Sequence, residues 1–371
     1  MDFEHTEDRR MLQDSLNRFL KDKYPIETRH AAAASDAGWD AGAYAQMAEL
    51  GVVGALIPEA AGGFGGAGFD VMVVFEALGR ALSVEPVLAT GVLGAGPIIA
   101  LAAEAKSDLL EEVVAGAKTL ALAHGEPDSR YELAQVSTKA EGGKLSGRKA
   151  VVINGGSADL LVVSARTSGG AADEDGISLY LVDPKGAGVT IRETPSVDGG
   201  RVAEITLDGA PGELIGEEGK AFAALEKTAA AATVALCAEA LGAMVVSHEM
   251  TVDYTKQRKQ FGRPIGTFQA LQHRMVDMGV EIEQARSAVI NAAGRLDADR
   301  AERELYVSAA KNMIGRAGKY VAEEAIQIHG GIGMTWEYAV GHYAKRIIMI
   351  DHVLGDADHH LERFIRLSKA A

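Results

Sequence analysis

The chain has 371 residues, and its 37 Lys and Arg against 52 Asp and Glu give a formal net charge of −15. That acidity argues against a nucleic-acid binder, which needs clustered cations to neutralise phosphates. A composition of 47% hydrophobic and 24% charged residues excludes a disordered or fibrous chain. The single cysteine excludes an internal disulfide framework and a Cys-cluster metal site, so no metal is expected.

The opening Met1-Asp2-Phe3-Glu4 is acidic and has no apolar core, so it reads neither as a secretory signal nor as an Arg-rich transit peptide. A cytoplasmic location is the default expectation. Thr6 is placed to cap a helix that carries Met11, Leu12, Leu16, Phe19 and Leu20 on one face. Further helices are predicted over 36–50, 69–82 and 87–115, which makes residues 1–117 a helical domain.

From Lys118 the texture changes to short β-type runs at 119–123, 150–154, 160–164, 177–182 and 203–207. Turn signals such as Asn154-Gly155-Gly156 and Asp183-Pro184-Lys185-Gly186 separate them, and no long amphipathic helix fits between. Residues 118–216 are therefore predicted to form an antiparallel sandwich or barrel. After Gly216-Glu217-Glu218-Gly219 four long helices, at 220–256, 267–296, 301–328 and 343–368, predict a bundle over 217–371. The fold class is multidomain α+β, in the order helical, β, helical.

Ala229 to Val246 is the most apolar stretch, but it is Ala-rich and interrupted by Thr233 and Glu239, so it reads as a buried helix and no membrane is expected. Cys237 within it reads as a small core residue. In the helix expected from 267, Thr267 is the cap, and Phe268, Leu271, Met275, Met278 and Ile282 recur at helical spacing as a packing seam. Gly63-Phe64-Gly65-Gly66-Ala67-Gly68 matches the glycine fingerprint for dinucleotides. Pro58-Glu59-Ala60-Ala61 stands where the preceding strand should run, so the glycines read as a structural turn.

Gln257-Arg258-Lys259-Gln260-Phe261-Gly262-Arg263-Pro264-Ile265-Gly266-Thr267-Phe268-Gln269-Ala270-Leu271-Gln272 links two long helices and resembles the signature of the acyl-CoA dehydrogenase family. A second block, Gln327-Ile328-His329-Gly330-Gly331-Ile332-Gly333-Met334-Thr335, resembles that family's glycine turn. Ile57-Pro58-Glu59, Glu76-Ala77-Leu78-Gly79-Arg80 and Leu145-Ser146-Gly147-Arg148-Lys149 agree, so the resemblance spans nearly the whole chain. It implies an acyl-CoA substrate, an FAD shared between two subunits, and an electron-transfer flavoprotein as acceptor. Carried over residue by residue, Arg258 and Phe261 match contacts to the diphosphate and adenine side of FAD. Phe268 and Gln269 match the next pair, and Gln327, Gly330 and Gly331 the glycine-turn contacts. An Arg fork suits phosphate oxygens, and glycines let backbone approach a cofactor.

Departures are as informative. The family's catalytic Glu, which removes the α-proton of the thioester, occupies one of two positions, and these fall on Leu354 and Ala232. The flavin-facing Lys, any residue, Trp, Ile, Thr, Asn, Gly becomes Lys149-Ala150-Val151-Val152-Ile153-Asn154-Gly155, and Thr-Glu-Pro becomes Gly125-Glu126-Pro127. The chain resembles in particular the small subunits of pimeloyl-CoA dehydrogenases and the paired steroid-type enzymes. The implied function is the subunit lacking the base in an α2β2 dehydrogenase, completed by a dehydrogenase-family partner. Three other readings stay open. One is a homotetramer whose base is Glu226, Asp351 or Asp356, each otherwise a solvated or capping acid. Another is a flavin monooxygenase using His352, His359 and His360, otherwise exposed on a final helix. The last is a purely structural subunit.

Overall fold

The computed structural model describes residues 6–370, so Met1-Asp2-Phe3-Glu4 lie outside the described residues. The chain divides into two compact units. One holds the chain up to Glu27, Gly68–Ser83 and the chain from Thr233 onward; the other holds Thr28–Ala67 and Val84–Ala232. Helices and strands follow one another in the expected helical, β, helical order along the chain.

In the second unit the strands are β1 Leu120–Ala123, β2 Lys139–Glu141, β3 Lys144–Ile153, β4 Leu160–Arg166, β5 Ile177–Val182, β6 Val189–Pro195, β7 Arg201–Pro211 and β8 Glu213–Ile215. They make one sheet in the order β6-β7-β3-β2-β4-β5-β8, with β1 paired to β4. Five runs were predicted; β2, β6 and β8 are additional. β6 is largely exposed, so it lacks the apolar run that betrays a strand. The pairing is not wholly antiparallel, because β1 and β2 both run parallel to β4. Leu145, Leu161, Val163, Tyr180, Ile205 and Leu207 are among the side chains of its core.

Helical segments of this unit are shorter than predicted. Helix 36–50 reduces to Ala41–Glu49, capped by Asp40, and 87–115 breaks into a π-helix Leu88–Gly94 followed by Ala95–Ala102 and Ser107–Val114. Pro97 has no N–H to return to the carbonyl four residues back, which disfavours a continuous α ladder there. The Gly63 and Gly65 region is a structural turn, as read. Their N–H groups donate to the Pro58 and Ile57 carbonyls, and a Cβ on either glycine would strike backbone oxygen of Ile57 or Ala55. Amides so engaged cannot cradle a pyrophosphate.

Beneath the sheet lies a polar network absent from the sequence reading. Lys149 Nζ, fully buried, donates to Glu126 Oε1 at 2.7 Å, Ser164 Oγ at 3.0 Å and the His124 carbonyl at 3.1 Å. Glu126 also accepts from the Ser137 and Thr138 N–H groups. Burial raises the Glu126 carboxyl, but Lys149 and Thr138 outweigh it and hold it below its ordinary value of 4.5, while burial brings Lys149 down to about 8.

In the first unit, Thr6 accepts from Arg9 N and caps helix Glu7–Lys23, although Met11 is 57% exposed and off the packed face. Helix Gly68–Ala81 crosses the helix Phe222–Gln257 closely. A Cβ on Gly79 would strike the Glu239 carbonyl, and one on Gly242 the Glu76 carbonyl. The most apolar 18-residue window of helix Phe222–Gln257 meets the length and composition of a membrane span yet is 78% buried inside the structure, as a core helix requires. Cys237 is buried there, its thiol pushed up to about 12 by burial.

The remaining helices are Gln269–Ala293, Arg300–His329, Val340–Asp351 and Ala357–Ala370. The last pair corrects the single helix predicted over 343–368. The chain breaks where Leu354 takes φ 58° and Gly355 φ 110°. Buried side chains hold this turn from within. Lys311 Nζ donates to the Asp351 and Gly355 carbonyls at 2.8 and 2.5 Å, and His360 Nε2 donates to the Leu354 carbonyl at 3.0 Å. His360, expected on an exposed face, is 3% exposed.

Two tests follow. Lys149→Met leaves Glu126 buried without its cation and is expected to cost about 3–5 kcal/mol in urea unfolding, with much of the loss recovered by adding Glu126→Gln. Burial brings His360 from 6.5 down to about 3. Its folded pKa is depressed, so its contribution to stability is complete above pH 6.5 and is lost as pH falls toward 3. His124, lowered to about 3 mainly by burial, acts in the same sense. His360→Gln should flatten part of the fall in urea midpoint between about pH 7 and 5, and an unaltered slope would contradict this account.

Candidate functional site

The helix Phe222–Gln257 ends in a tight ribbon. Arg258 N still donates to the Tyr254 carbonyl at 2.8 Å, and Ile265 N returns to the Arg258 carbonyl at 2.8 Å. Between them Lys259–Gln260 pairs antiparallel with Arg263–Pro264. The turn residues Phe261 and Gly262 both have positive φ, 53° and 78°, as a two-residue hairpin turn demands. Phe261 is 91% exposed, with its ring edge-on to Phe268 at 6.2 Å, and the Arg263 guanidinium lies 4.1 Å from the Phe268 centroid.

Thr267 does not cap the next helix. Its hydroxyl donates to the Pro264 carbonyl within a short 3₁₀ turn, and Phe268 takes the N-cap position. Gln269, the first helical residue, is exposed. Of the predicted seam, Met278 and Ile282 are buried, whereas Phe268, Leu271 and Met275 are only half-buried; burial continues along Ala285, Val289 and Ala292. The seam thus packs its C-terminal half within the chain and leaves the half beside the ribbon partly open.

The glycine turn closes the helix Arg300–His329. Gln327 is exposed on its last turn, and Gly330 takes φ 66°, ψ −143°, a conformation reserved for glycine. A Cβ on Gly330 or Gly331 would meet nothing within 4 Å, so packing within the chain does not demand their small size. His329, buried beside them, stacks on Tyr254 at 4.5 Å and lies 5.1 Å from Tyr338. Because Tyr254 stands one turn before Arg258, the structure brings the Arg258 block and the Gln327–Gly331 block together.

Their chemistry fits the diphosphate half of a flavin dinucleotide. Lys256, Arg258, Lys259 and Arg263 concentrate positive charge on an acidic chain. Among the described residues Arg258 has no ion-pair partner, and it is exposed. The open faces of Gly330 and Gly331 admit a close approach by polar oxygens. Among the described residues no group of three or more His, Cys, Asp or Glu is placed to hold a metal ion.

The positions matched to a catalytic carboxylate carry none. Leu354 is half-buried in its left-handed turn, and Ala232 is fully buried. Of the alternative acids, Asp351 accepts from Ala357 N and Asp356 from His359 N, so both cap the final helix. Glu226 is buried, at 5% exposure, so it is not a solvated acid. The three terminal histidines do not share one exposed face: His352 is exposed, His359 half-buried and His360 buried. On β3, a bulge after Lys149 turns Val151 outward, 68% exposed at φ 55°, while Ala150 N donates to the Gly125 carbonyl. No signal in the sequence announced Lys311, Tyr254 or Tyr338, and Lys149 was legible only as part of a matched block, not as the partner of Glu126.

Three family models match in order: the acyl-CoA dehydrogenase N-terminal domain over residues 6–117, the middle domain over 121–210 and the C-terminal domain over 220–366. The acyl-CoA dehydrogenase IpdE2 of Mycolicibacterium smegmatis is 31% identical over 359 residues, covering 96% of this chain and 98% of its own. Among solved structures, a variant of the Tcur3481-Tcur3483 steroid ACAD is 30% identical with a TM-score of 0.88, covering 98% of both chains. The ChsE4-ChsE5 complex from Mycobacterium tuberculosis is 25% identical with a TM-score of 0.90, covering 100% of both chains. With all three domains matched in sequence order along an architecture of the same kind, this chain belongs to the acyl-CoA dehydrogenase family, FAD-using oxidoreductases that act on acyl-CoA.

Proposed function

We propose that this chain is the subunit without the catalytic Glu in a heteromeric α2β2 acyl-CoA dehydrogenase. On this reading it lends the ADP side of an FAD site whose ring side and base belong to a dehydrogenase-family partner. The observation that carries the reading is the pairing of an intact diphosphate-type cluster with aprotic side chains, Leu354 and Ala232, at both base positions. The similarity to the paired proteins Tcur3481-Tcur3483 and ChsE4-ChsE5 supports a paired assembly. A steroid-derived thioester is the favoured substrate class, in line with the similarity to the Tcur3481-Tcur3483 steroid ACAD. The working domain limits are residues 117 and 216, and the location is cytoplasmic.

In α,β-dehydrogenation a carboxylate takes the α-proton while the β C–H bond breaks with its electron pair leaving as hydride. Bound FAD supplies the acceptor for that hydride, and an electron-transfer flavoprotein takes the electrons onward. Leu354 and Ala232 have no lone pair to receive the proton, so the base comes from the partner chain. Arg258 would grip diphosphate oxygens with its planar fork, and Phe261 and Phe268 would flank the adenosine. Gln269 and Gln327 would donate and accept hydrogen bonds along the same edge, and Gly330 and Gly331 would bring backbone N–H groups within reach.

The test is the flavin content of the chain alone and of the assembly isolated through a tag on it. Little FAD alone and about one per pair of chains in the assembly is the expected result. Arg258→Ala should lower the assembly's FAD affinity by about ten-fold or more, the scale of losing a charge-assisted phosphate contact. About one FAD per chain in the isolated protein would overturn the shared-site reading and favour a homotetramer.

A further inference from the structure

We infer that His329 is a positioning residue for the dinucleotide grip: its imidazole, held between Tyr254 and Tyr338, sets the Gln327–Gly331 turn against the Arg258 ribbon. The inference rests on the reading of those two blocks as the ADP side of the FAD site.

The glycine turn has little else to orient it on this side. Gly330 N–H donates to Ile326 O, which continues its own helix, and Thr335 N–H closes the following turn onto Ile332 O. Neither bond leaves the segment. A Cβ on Gly330 or Gly331 would meet nothing within 4 Å, so no side-chain-sized contact fixes them from outside. His329 reaches across. Its ring is 3% exposed, stacks on Tyr254 at 4.5 Å with an interplanar angle of 29°, and tilts against Tyr338 at 5.1 Å. Tyr254 and Tyr338 meet each other edge-on at 6.3 Å, completing an aromatic triad.

Tyr254 transmits the position onward, because its carbonyl accepts from Arg258 N–H at 2.8 Å on the same helix. The imidazole is fixed in rotation as well as in place. Nδ1 donates to the Ala325 carbonyl at 2.8 Å, which leaves Nε2 as a lone-pair acceptor, buried and with no partner. Burial lowers the His329 pKa, so the ring stays neutral beside the cationic ribbon. An unsatisfied buried acceptor is a cost that a hydrocarbon side chain would avoid. The side chain therefore contributes a flat ring locked at one angle by Nδ1, and the stack on Tyr254 carries the effect.

The test uses the assembly isolated through a tag on this chain, stripped of flavin and titrated with FAD while flavin fluorescence quenching and recovered activity are followed. His329→Ala should weaken FAD affinity by about ten-fold, whereas His329→Phe, which keeps the stack, should stay within about three-fold of the parent. Tyr254→Leu should match His329→Ala, and the double variant should be no weaker than either, since both act through one contact. The KM for the acyl-CoA thioester should not move. If His329→Ala fails to assemble, Tyr254→Leu against Tyr254→Phe provides the same comparison. An unchanged FAD affinity in His329→Ala, or a loss in His329→Phe as large as in His329→Ala, overturns the inference. Arg258→Ala separates the two levels: if it weakens FAD binding while His329→Ala does not, the ADP-side reading stands and only this inference falls. If Arg258→Ala leaves FAD binding unchanged, both fall.

Discussion

Burial of the long apolar helix Phe222–Gln257 is the constraint to which much of this molecule answers. Its central residues from Ala232 to Met244 are almost wholly enclosed, and helix Gly68–Ala81 comes near only because Gly79 and Gly242 leave room for backbone against backbone. A side chain at either crossing would force the helices apart and open voids that close-packed interiors do not tolerate. The one acidic residue in that stretch, Glu239, is held by both nitrogens of an Arg346 fork at 2.6 and 2.7 Å, which removes the penalty of an unpaired charge. Where the helix leaves the core, its last turn carries Tyr254 and delivers Arg258 into the exposed ribbon. Packing in the interior thus places the cationic cluster at the surface.

Among the residues outside glycine with left-handed backbone, Val151, Phe261 and Leu354 stand at places where the sequence departs from or matches its family. Such a conformation costs a bulky L-residue about 1–2 kcal/mol. Each is held in place by a surrounding structure. The bulge of β3 and the Ala150 bond to Gly125 hold Val151, the two-residue hairpin holds Phe261, and Lys311 with His360 holds Leu354. At Val151 and Leu354, the positions matched to an aromatic cover and a base, an aliphatic side chain stands on left-handed backbone. Backbone shape at these places depends on contacts made by other residues and not on the side chain it displays.

Much of the architecture was legible in the sequence because it rests on local signals. Long stretches without turn signals located the helices around Phe222–Gln257 and Arg300–His329 to within a few residues, and turn-bounded β-type runs located β1, β4 and β5. Thr6 was recognisable as a cap from its own side-chain chemistry. The Arg258 and Gln327–Gly331 blocks stood out as contiguous motifs. β6 offers only Val189 and Ile191 as apolar positions, too short an alternation to stand out, and the break at Leu354 and Gly355 interrupts a stretch that reads as one helix.

The sequence by itself determined the order of helical and β segments, the buried character of the apolar helix, the two candidate cofactor blocks and the absence of a carboxylate at Leu354 and Ala232. Each of these depends on residue identity or on neighbours a few positions away. Only the tertiary structure decided the parallel pairing of β1 and β2 with β4, the Lys149–Glu126 pair, the burial of His360 and the stacking of His329 on Tyr254. These are contacts between residues far apart in the chain, selected by how whole elements pack. A buried lysine and an exposed one, or a stacked histidine and a solvated one, are the same letters until that packing is known.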